Sequence, residues 1–174
     1  AREPKAPYLA DFIRLALYTG CRRGELLGLE WSRVDLHRNV IRLQSVHTKS
    51  GTPRVIPLCN EARTALIGRQ RFRASYCPDA PFVFVNFEGR RIGSIKRSFS
   101  TACRRAGISD FRIHDLRHTF ASWLVAEGVP LLEVSRLLGH STVKMTERYA
   151  HLAPDSLESA VGLLDQRAHS GHTD

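Results

Sequence analysis

The stretch Ile113-His114-Asp115-Leu116-Arg117-His118-Thr119 sets two imidazoles and a guanidinium within five residues of one another, at the head of a run that reads as helix. Helical positions three and four apart share a face. His114, Arg117 and His118 therefore point one way, while Leu116, Phe120 and Leu124 line another. Polar chemistry faces one side and apolar core the other. A planar guanidinium can hold two oxygens of an anion while a neighbouring imidazole donates to a further one, which suits a phosphate. Taken alone, the same pattern also describes a surface arginine beside a core-edge histidine, because HxxR is a short signature.

Working outward, the segment from 94 onward is mostly helical, with helices predicted at 94–106, about 115–127, 131–138, 142–149 and 155–165. Gly107, Gly128 and Gly139 punctuate their ends, and Pro130 fits a helix start. Upstream, residues 8–19 place Leu9, Phe12, Ile13 and Leu17 near one helical face, with Gly20 as a C-cap. A second short helix runs through Glu25, Leu26 and Leu29 to near Trp31. The period then changes. Ile41 and Leu43 alternate with polar residues, Lys49-Ser50-Gly51-Thr52 supplies a turn, and Arg54 to Leu58 returns extended, which predicts a β-hairpin with Lys49 at its tip. Pro53 and Pro57 lack ladder donors and put the returning strand at a sheet edge. A helix is expected at 60–73, and Phe82-Val83-Phe84-Val85 could add a third strand. The fold class is mainly α with a small antiparallel β-sheet, α+β.

With 174 residues the chain suits one compact core, here 1–165, with 1–7 read as a linker remnant after a preceding domain and 166–174 as a flexible tail. Lys plus Arg number 26 against 17 Asp plus Glu, a formal charge of +9, which favours an acidic or nucleic-acid partner. Hydrophobic residues at 43% and charged ones at 25% fit neither wholesale disorder nor a fibrous repeat. No apolar run approaches the roughly 18 residues of a membrane span, and residues 1–7 hold no apolar signal-peptide region, so a cytoplasmic chain without a membrane partner is expected. Cys21, Cys59, Cys77 and Cys103 stand apart without a CxxC pair and read as reduced, mostly buried thiols. Arg90, Arg91, Lys96, Arg97, Arg104 and Arg105 form a basic run without an acid. It could track a phosphate backbone or be a solvated helix face.

Three further stretches join the His114 segment. Thr19-Gly20-Cys21-Arg22-Arg23-Gly24-Glu25-Leu26 puts Arg22 just after a helix-ending glycine, Lys49 sits on the hairpin tip, and Leu138-Gly139-His140 precedes Tyr149. Together they resemble the tyrosine recombinase (phage integrase) family, whose pattern is TGxR with a following Glu-Leu, a hairpin Lys, HxxR, a GH pair and a Tyr shortly after it. Trp31-Ser32-Arg33-Val34-Asp35 and Thr146-Glu147-Arg148-Tyr149-Ala150-His151 extend the likeness, which covers roughly residues 8–160. The resemblance implies the catalytic-domain fold of that family. It implies that Arg22 and Arg117 clamp the scissile phosphate of double-stranded DNA, with His114 and His140 donating to its other oxygens. Tyr149 would be the nucleophile and Lys49 the general acid for the departing 5′ oxygen. The product would be a 3′-phosphotyrosine, with no cofactor, metal or small-molecule substrate. A helix after the tyrosine, with Leu157, Val161 and Leu164 in a stripe, could finish this core or dock on a second protomer.

Elementary chemistry agrees with that reading. A tyrosine hydroxyl with an ordinary pKa of about 10 is a poor nucleophile unless positive charge or a base favours the phenolate. Cationic donors also stabilise the charge gathering on phosphate oxygens in the transition state. Blander roles suit Glu25, a structural partner for a nearby arginine, and Asp115, at the positive end of its helix. Thr19, Gly20, Trp31 and Phe120 serve packing and turns. Three other classes remain open: a type IB topoisomerase, a helix-turn-helix regulator using 115–127 and 131–138, and a zinc enzyme using His114 and His118 with His140 or His151.

Overall fold

Helix α1 (Leu9–Thr19) buries Leu9, Phe12, Leu15 and Ala16, with Ile13 and Leu17 half-buried against the same core. Gly20 ends it in the left-handed region, φ 61°, with its N–H on Ala16 O. A methyl group at Gly20 would overlap the Phe120 ring, so this position needs both the positive φ and the missing Cβ. Helix α2 (Arg23–Leu27) follows. It stops short of the expected Trp31, because Leu29 O accepts from Val83 N–H and Glu30 bridges to Phe82, leaving a single 3₁₀ turn at Trp31–Arg33.

A computed structural model describes residues 6–44, 53–154 and Val161. The hairpin tip with Lys49, the helix expected at 155–165 apart from Val161, and the tail at 166–174 lie outside the described residues. Strands β1 (Val34–Asp35), β2 (Val40–Leu43) and β3 (Arg54–Pro57) form an antiparallel sheet in the order β1-β2-β3. Ile41 pairs with both Val34 and Ile56. The hairpin arms and the edge position of β3 match expectation, but the third strand is β1 rather than Phe82–Val85. The reason lies in α3 (Asn60–Tyr76), which runs three residues beyond the expected end. Its Arg69, 1% exposed, donates Nε to Val83 O and Nη2 to Val85 O, both at 3.3 Å, and takes carbonyls that a ladder would use. The guanidinium lies 4.1 Å from the Phe72 ring centroid.

Helices α4 (Lys96–Arg105), α5 (Asp115–Ala126) and α6 (Leu131–Leu138) follow the apolar periodicity closely. The expected 142–149 helix is instead a pair of 3₁₀ turns, Val143–Met145 and Glu147–Leu152. Thr146 sits at their junction, wholly buried, its N–H on Val143 O and its carbonyl accepting from Tyr149 N–H. These three-residue loops wind more tightly than an α-helix and turn Tyr149 inward. Two apolar clusters result. The larger joins α1, α2, α3 and the sheet, and the smaller holds Phe120, Ala121, Val125, Val134, Leu138 and Tyr149. Helix α5 belongs to both, through Leu116 and Phe120. All four cysteines are free thiols: Cys21 and Cys77 are buried and Cys103 half-buried, but Cys59 is exposed, where it precedes α3. Among the described residues no helix is long and apolar enough to cross a membrane.

Gly20→Ala should lower unfolding free energy by at least about 2 kcal/mol, since it adds overpacking against Phe120 to a strained φ. Urea denaturation checks this, and an unchanged midpoint would contradict the packing described.

Candidate active site

Arg22 is positioned by its own neighbours. Thr19 Oγ1 donates to Leu15 O at 2.5 Å and accepts from Cys21 N–H at 3.3 Å, closing α1, while Arg22 N–H donates to Glu25 Oε2 at 2.7 Å from the third position of α2. The Arg22 side chain then reaches Glu25 Oε1 through Nη1 at 3.1 Å and Gly139 O through Nη2 at 3.3 Å. Glu25 is thus the structural partner expected for an arginine.

Arg117, only 4% exposed, donates Nη1 to Gly20 O and Nη2 to Leu138 O, each at 2.6 Å. Both carbonyls lie at helix C-termini, where backbone acceptors lack helical donors and the dipole is negative. Burial pushes its pKa down to about 10, the Arg22 charge adds to that, and Glu25 opposes it. Arg117 is charged at neutral pH.

A third guanidinium completes the arrangement. Arg54 of β3 pairs with Glu25 through both nitrogens, Nη1 to Oε1 at 3.0 Å and Nη2 to Oε2 at 2.7 Å, and donates Nε to Leu137 O at 3.1 Å. The two side chains are only 6% and 2% exposed. Three successive carbonyls at the end of α6, those of Leu137, Leu138 and Gly139, therefore accept from Arg54, Arg117 and Arg22 in turn. Gly139 is in the left-handed region, φ 64°, and a Cβ there would stand 2.9 Å from Arg54 Nη1. The glycine of the GH pair lets Arg54 approach.

His140 follows with Nδ1 2.8 Å from Thr146 Oγ1, and burial and the charges of Arg117 and Arg22 push its pKa down to about 4. His114, exposed just before α5, is lowered by partial burial and by His118 and Arg117. Its ring meets that of His118 edge-on at 4.7 Å between centroids. The hydroxyl of Tyr149 lies 2.5 Å from His118 Nδ1, and burial raises the phenol pKa against the pull of Arg148 and Arg117. Asp115 accepts from Arg112 N–H at 2.7 Å and opens α5 as expected. Among the described residues no three His, Cys, Asp or Glu side chains are gathered to hold a metal.

Arg22, His114, Arg117, His140 and Tyr149 thus surround one site, while Lys49 lies outside the described residues. Arg54 is the residue that sequence reasoning missed. The signal was the strand alternation, which puts Arg54 on the face of buried Ile56 and opposite exposed Val55. His118 was placed on the right helix face, but its contact with Tyr149 was not foreseen. The six residues of the basic run are all exposed. Lys96 and Arg104 line an open groove of about 910 Å³ with Arg23, Arg112 and His114, over the apolar floor of Phe99 and Phe111.

The phage integrase family profile matches residues 1–156. The chain belongs to the phage integrase family. The integrase of Salmonella phage P22 is 34% identical over 173 residues, covering 90% of this chain and 42% of the relative. The tyrosine recombinase XerC of Corynebacterium glutamicum is 32% identical over 158 residues, covering 90% of this chain and 50% of the relative. This phage integrase family chain therefore spans about half the length of those curated relatives. The solved structure of the catalytic domain of bacteriophage HP1 integrase is 32% identical with a TM-score of 0.69, covering 92% of this chain and 84% of that chain.

Two outcomes follow from the geometry. Glu25→Gln leaves the nearly covered Arg54 side chain and the half-buried Arg22 facing a neutral amide and should lower unfolding free energy by about 3–5 kcal/mol in denaturant titrations at pH 7. Burial raises the Glu25 pKa, but the hydrogen bond and charge of Arg54 and the N–H of Arg22 outweigh it and hold the carboxyl below its ordinary value. The unfolded chain therefore takes up this proton first. The stabilisation is complete above the ordinary carboxylate range and is lost as pH falls through the lowered folded value, a loss the variant should not show. His140 should remain neutral in NMR titrations of the free protein until the pH nears 4, well under the ordinary 6.5. Because the unfolded chain protonates first, its contribution to stability declines between those two values. A midpoint at the ordinary histidine value would refute the site electrostatics.

Proposed function

We propose that this chain is the catalytic domain of a site-specific DNA recombinase that breaks and rejoins double-stranded DNA through a 3′-phosphotyrosine at Tyr149, without a metal or cofactor. The observation that carries this reading is the convergence of Arg22, Arg117, His114, His140 and Tyr149 beside the end of α6. Arg22 and Arg117 each commit one N–H of both Nη atoms to a fixed acceptor, so the forks are held rigid while a second N–H on each Nη suits a phosphate oxygen. Neutral His140, with Nδ1 on Thr146, offers its Nε2–H as a further donor, and His114 supplies another. Preorganised donors of this kind are worth about 10²–10³ each in rate.

The reaction follows from the charges. Tyr149 Oη attacks phosphorus, the negative charge on the non-bridging oxygens is taken up by the guanidinium groups, and the 5′ oxygen leaves with a proton that the family resemblance assigns to Lys49. One phosphodiester is exchanged for another, so a 5′ hydroxyl can reverse the step without added energy. Exposed Lys96 and Arg104, with Arg23 and Arg112 along the same groove, fit the backbone of the flanking duplex, and Arg90, Arg91, Arg97 and Arg105 extend that basic surface. Self-association on DNA through residues 155–165 belongs to the same reading. So do a separate DNA-clamping domain and a cytoplasmic location, where bacterial and phage DNA resides.

Incubation with a nicked duplex should give a denaturation-resistant protein–DNA adduct at the 3′ phosphate, abolished by Tyr149→Phe. Arg22→Ala or Arg117→Ala should slow adduct formation by about 10² or more while much of the nonspecific DNA affinity remains. Retention of DNA should fall steeply between about 50 and 200 mM salt as phosphate contacts release counterions. An adduct that survives Tyr149→Phe would overturn the assignment. Strand exchange that needs two DNA sites separates a recombinase from a topoisomerase, which acts on one.

A further inference from the structure

A phenol that is to attack phosphorus must lose its proton, and the surroundings of Tyr149 work against spontaneous loss. The ring is packed in the smaller apolar cluster, 7% exposed, and burial raises its pKa despite Arg148 and Arg117. His140 already has Nδ1 against Thr146, and His114 meets the ring edge of His118 rather than the tyrosine. The Nδ1 of His118 lies 2.5 Å from the Tyr149 hydroxyl, with the two ring centroids 6.0 Å apart. His118 is held on the first turn of α5, its N–H on His114 O, one residue from buried Arg117.

We propose that His118 accepts the proton of Tyr149 as the nucleophile attacks and returns it when the DNA end is released. The proposal rests on the strand-transfer reading above. In the forward step the Oη–H bond breaks and the proton moves to Nδ1. The phenolate pair forms the O–P bond, and the P–O5′ pair leaves with the 5′ oxygen, which takes its proton from a different acid. In the return step the 5′ hydroxyl attacks, the phenolate leaves, and Nδ1–H gives the proton back. Nothing is oxidised or consumed. The groups facing His118 set its resting state: partial burial and the cations Arg148, Arg117 and Arg112 depress its pKa, with Asp115 opposing, so the ring is neutral at pH 7. A neutral ring protonated on Nε2 presents its Nδ1 lone pair to the phenol O–H. His118 touches a reacting atom and is a catalytic residue on this account.

The test is single-turnover adduct formation by the full chain between about pH 5.5 and 9. It uses a nicked duplex with an ordinary phosphodiester and one with a bridging 5′-sulfur leaving group that needs no acid. His118→Asn keeps an acceptor near the Nδ1 position and cannot take the proton. At pH 7 it should react about 10²–10³-fold more slowly with both substrates. Its rate should climb about tenfold per pH unit, so that the deficit against wild type shrinks toward alkaline pH. Unchanged affinity for uncleaved DNA checks its fold. His118→Ala should recover rate in proportion to added imidazole, a second arm that stands if the Asn variant is unstable. Parallel pH profiles for wild type and His118→Asn, a deficit confined to the ordinary phosphodiester, or no imidazole response by His118→Ala would overturn the proposal alone. Failure of the wild type to form any adduct would remove the strand-transfer reading, and this inference with it.

Discussion

Three guanidinium groups converge on the C-terminal end of α6, and the carboxylate of Glu25 together with the open carbonyls there makes that possible. Like charges about 4 Å apart in an effective dielectric of about 20 repel by about 4 kcal/mol, which is a large part of a typical domain's stability. Glu25 stands between Arg22 and Arg54, and the carbonyls of Leu137, Leu138 and Gly139 each take one arginine. Gly20 O, at the end of α1, takes the second arm of Arg117. Two helix ends therefore supply the negative partial charge that three cations need, and the cations supply the donors that those carbonyls lack. The folded site still carries excess positive charge, which is what an anion would find.

The same contacts tie distant chain segments into one site. Arg54 begins the strand that returns from the hairpin, so its bonds to Glu25 and Leu137 fasten that hairpin arm to α2 and α6 together. Arg117 joins α5 to the ends of α1 and α6. Tyr149 is anchored differently, by apolar packing against α5 and α6 and by the tight turns around Thr146. Its ring is fixed by the smaller core and its oxygen by a hydrogen bond to His118. Position and reactivity are thus governed by separate forces: packing places the ring, and local electrostatics hold the proton.

Much of this could be read from the chain because the motifs are local. TGxR encodes a helix stop whose glycine must face Phe120, and the GH pair encodes another whose glycine must admit Arg54; both were visible as punctuation before their partners were known. Helices α1, α5 and α6 declare themselves by apolar spacing. What escaped depends on contacts between segments far apart in sequence. Phe82–Val85 has the composition of a strand, yet Arg69 claims its carbonyls, and a residue of Arg69's type in a helix reads as surface. Residues 142–149 look helical until the buried Thr146 and the inward Tyr149 impose three-residue turns. Arg54 shares the inward face of Ile56 by strand alternation, but its partners Glu25 and Leu137 lie in α2 and α6, far away in sequence.

On the proposed reading, the arginine cluster links the protonation of the histidines to the substrate. In the free protein burial and the surrounding cations hold His114, His118 and His140 below the ordinary histidine range, so each is neutral at pH 7. A base so depressed is a weak proton acceptor. A phosphodiester seated against Arg22 and Arg117 brings a negative charge into the same field, offsets their repulsion of a proton, and raises the basicity of every imidazole nearby. For His118 that shift is toward the working pH, where a general base is most effective. On the proposed mechanism, Tyr149 is then least able to lose its proton when no DNA is present and most able when the scissile phosphate is in place, without any movement of the backbone. The arginines proposed to bind the phosphate would in this way also control when the nucleophile becomes reactive.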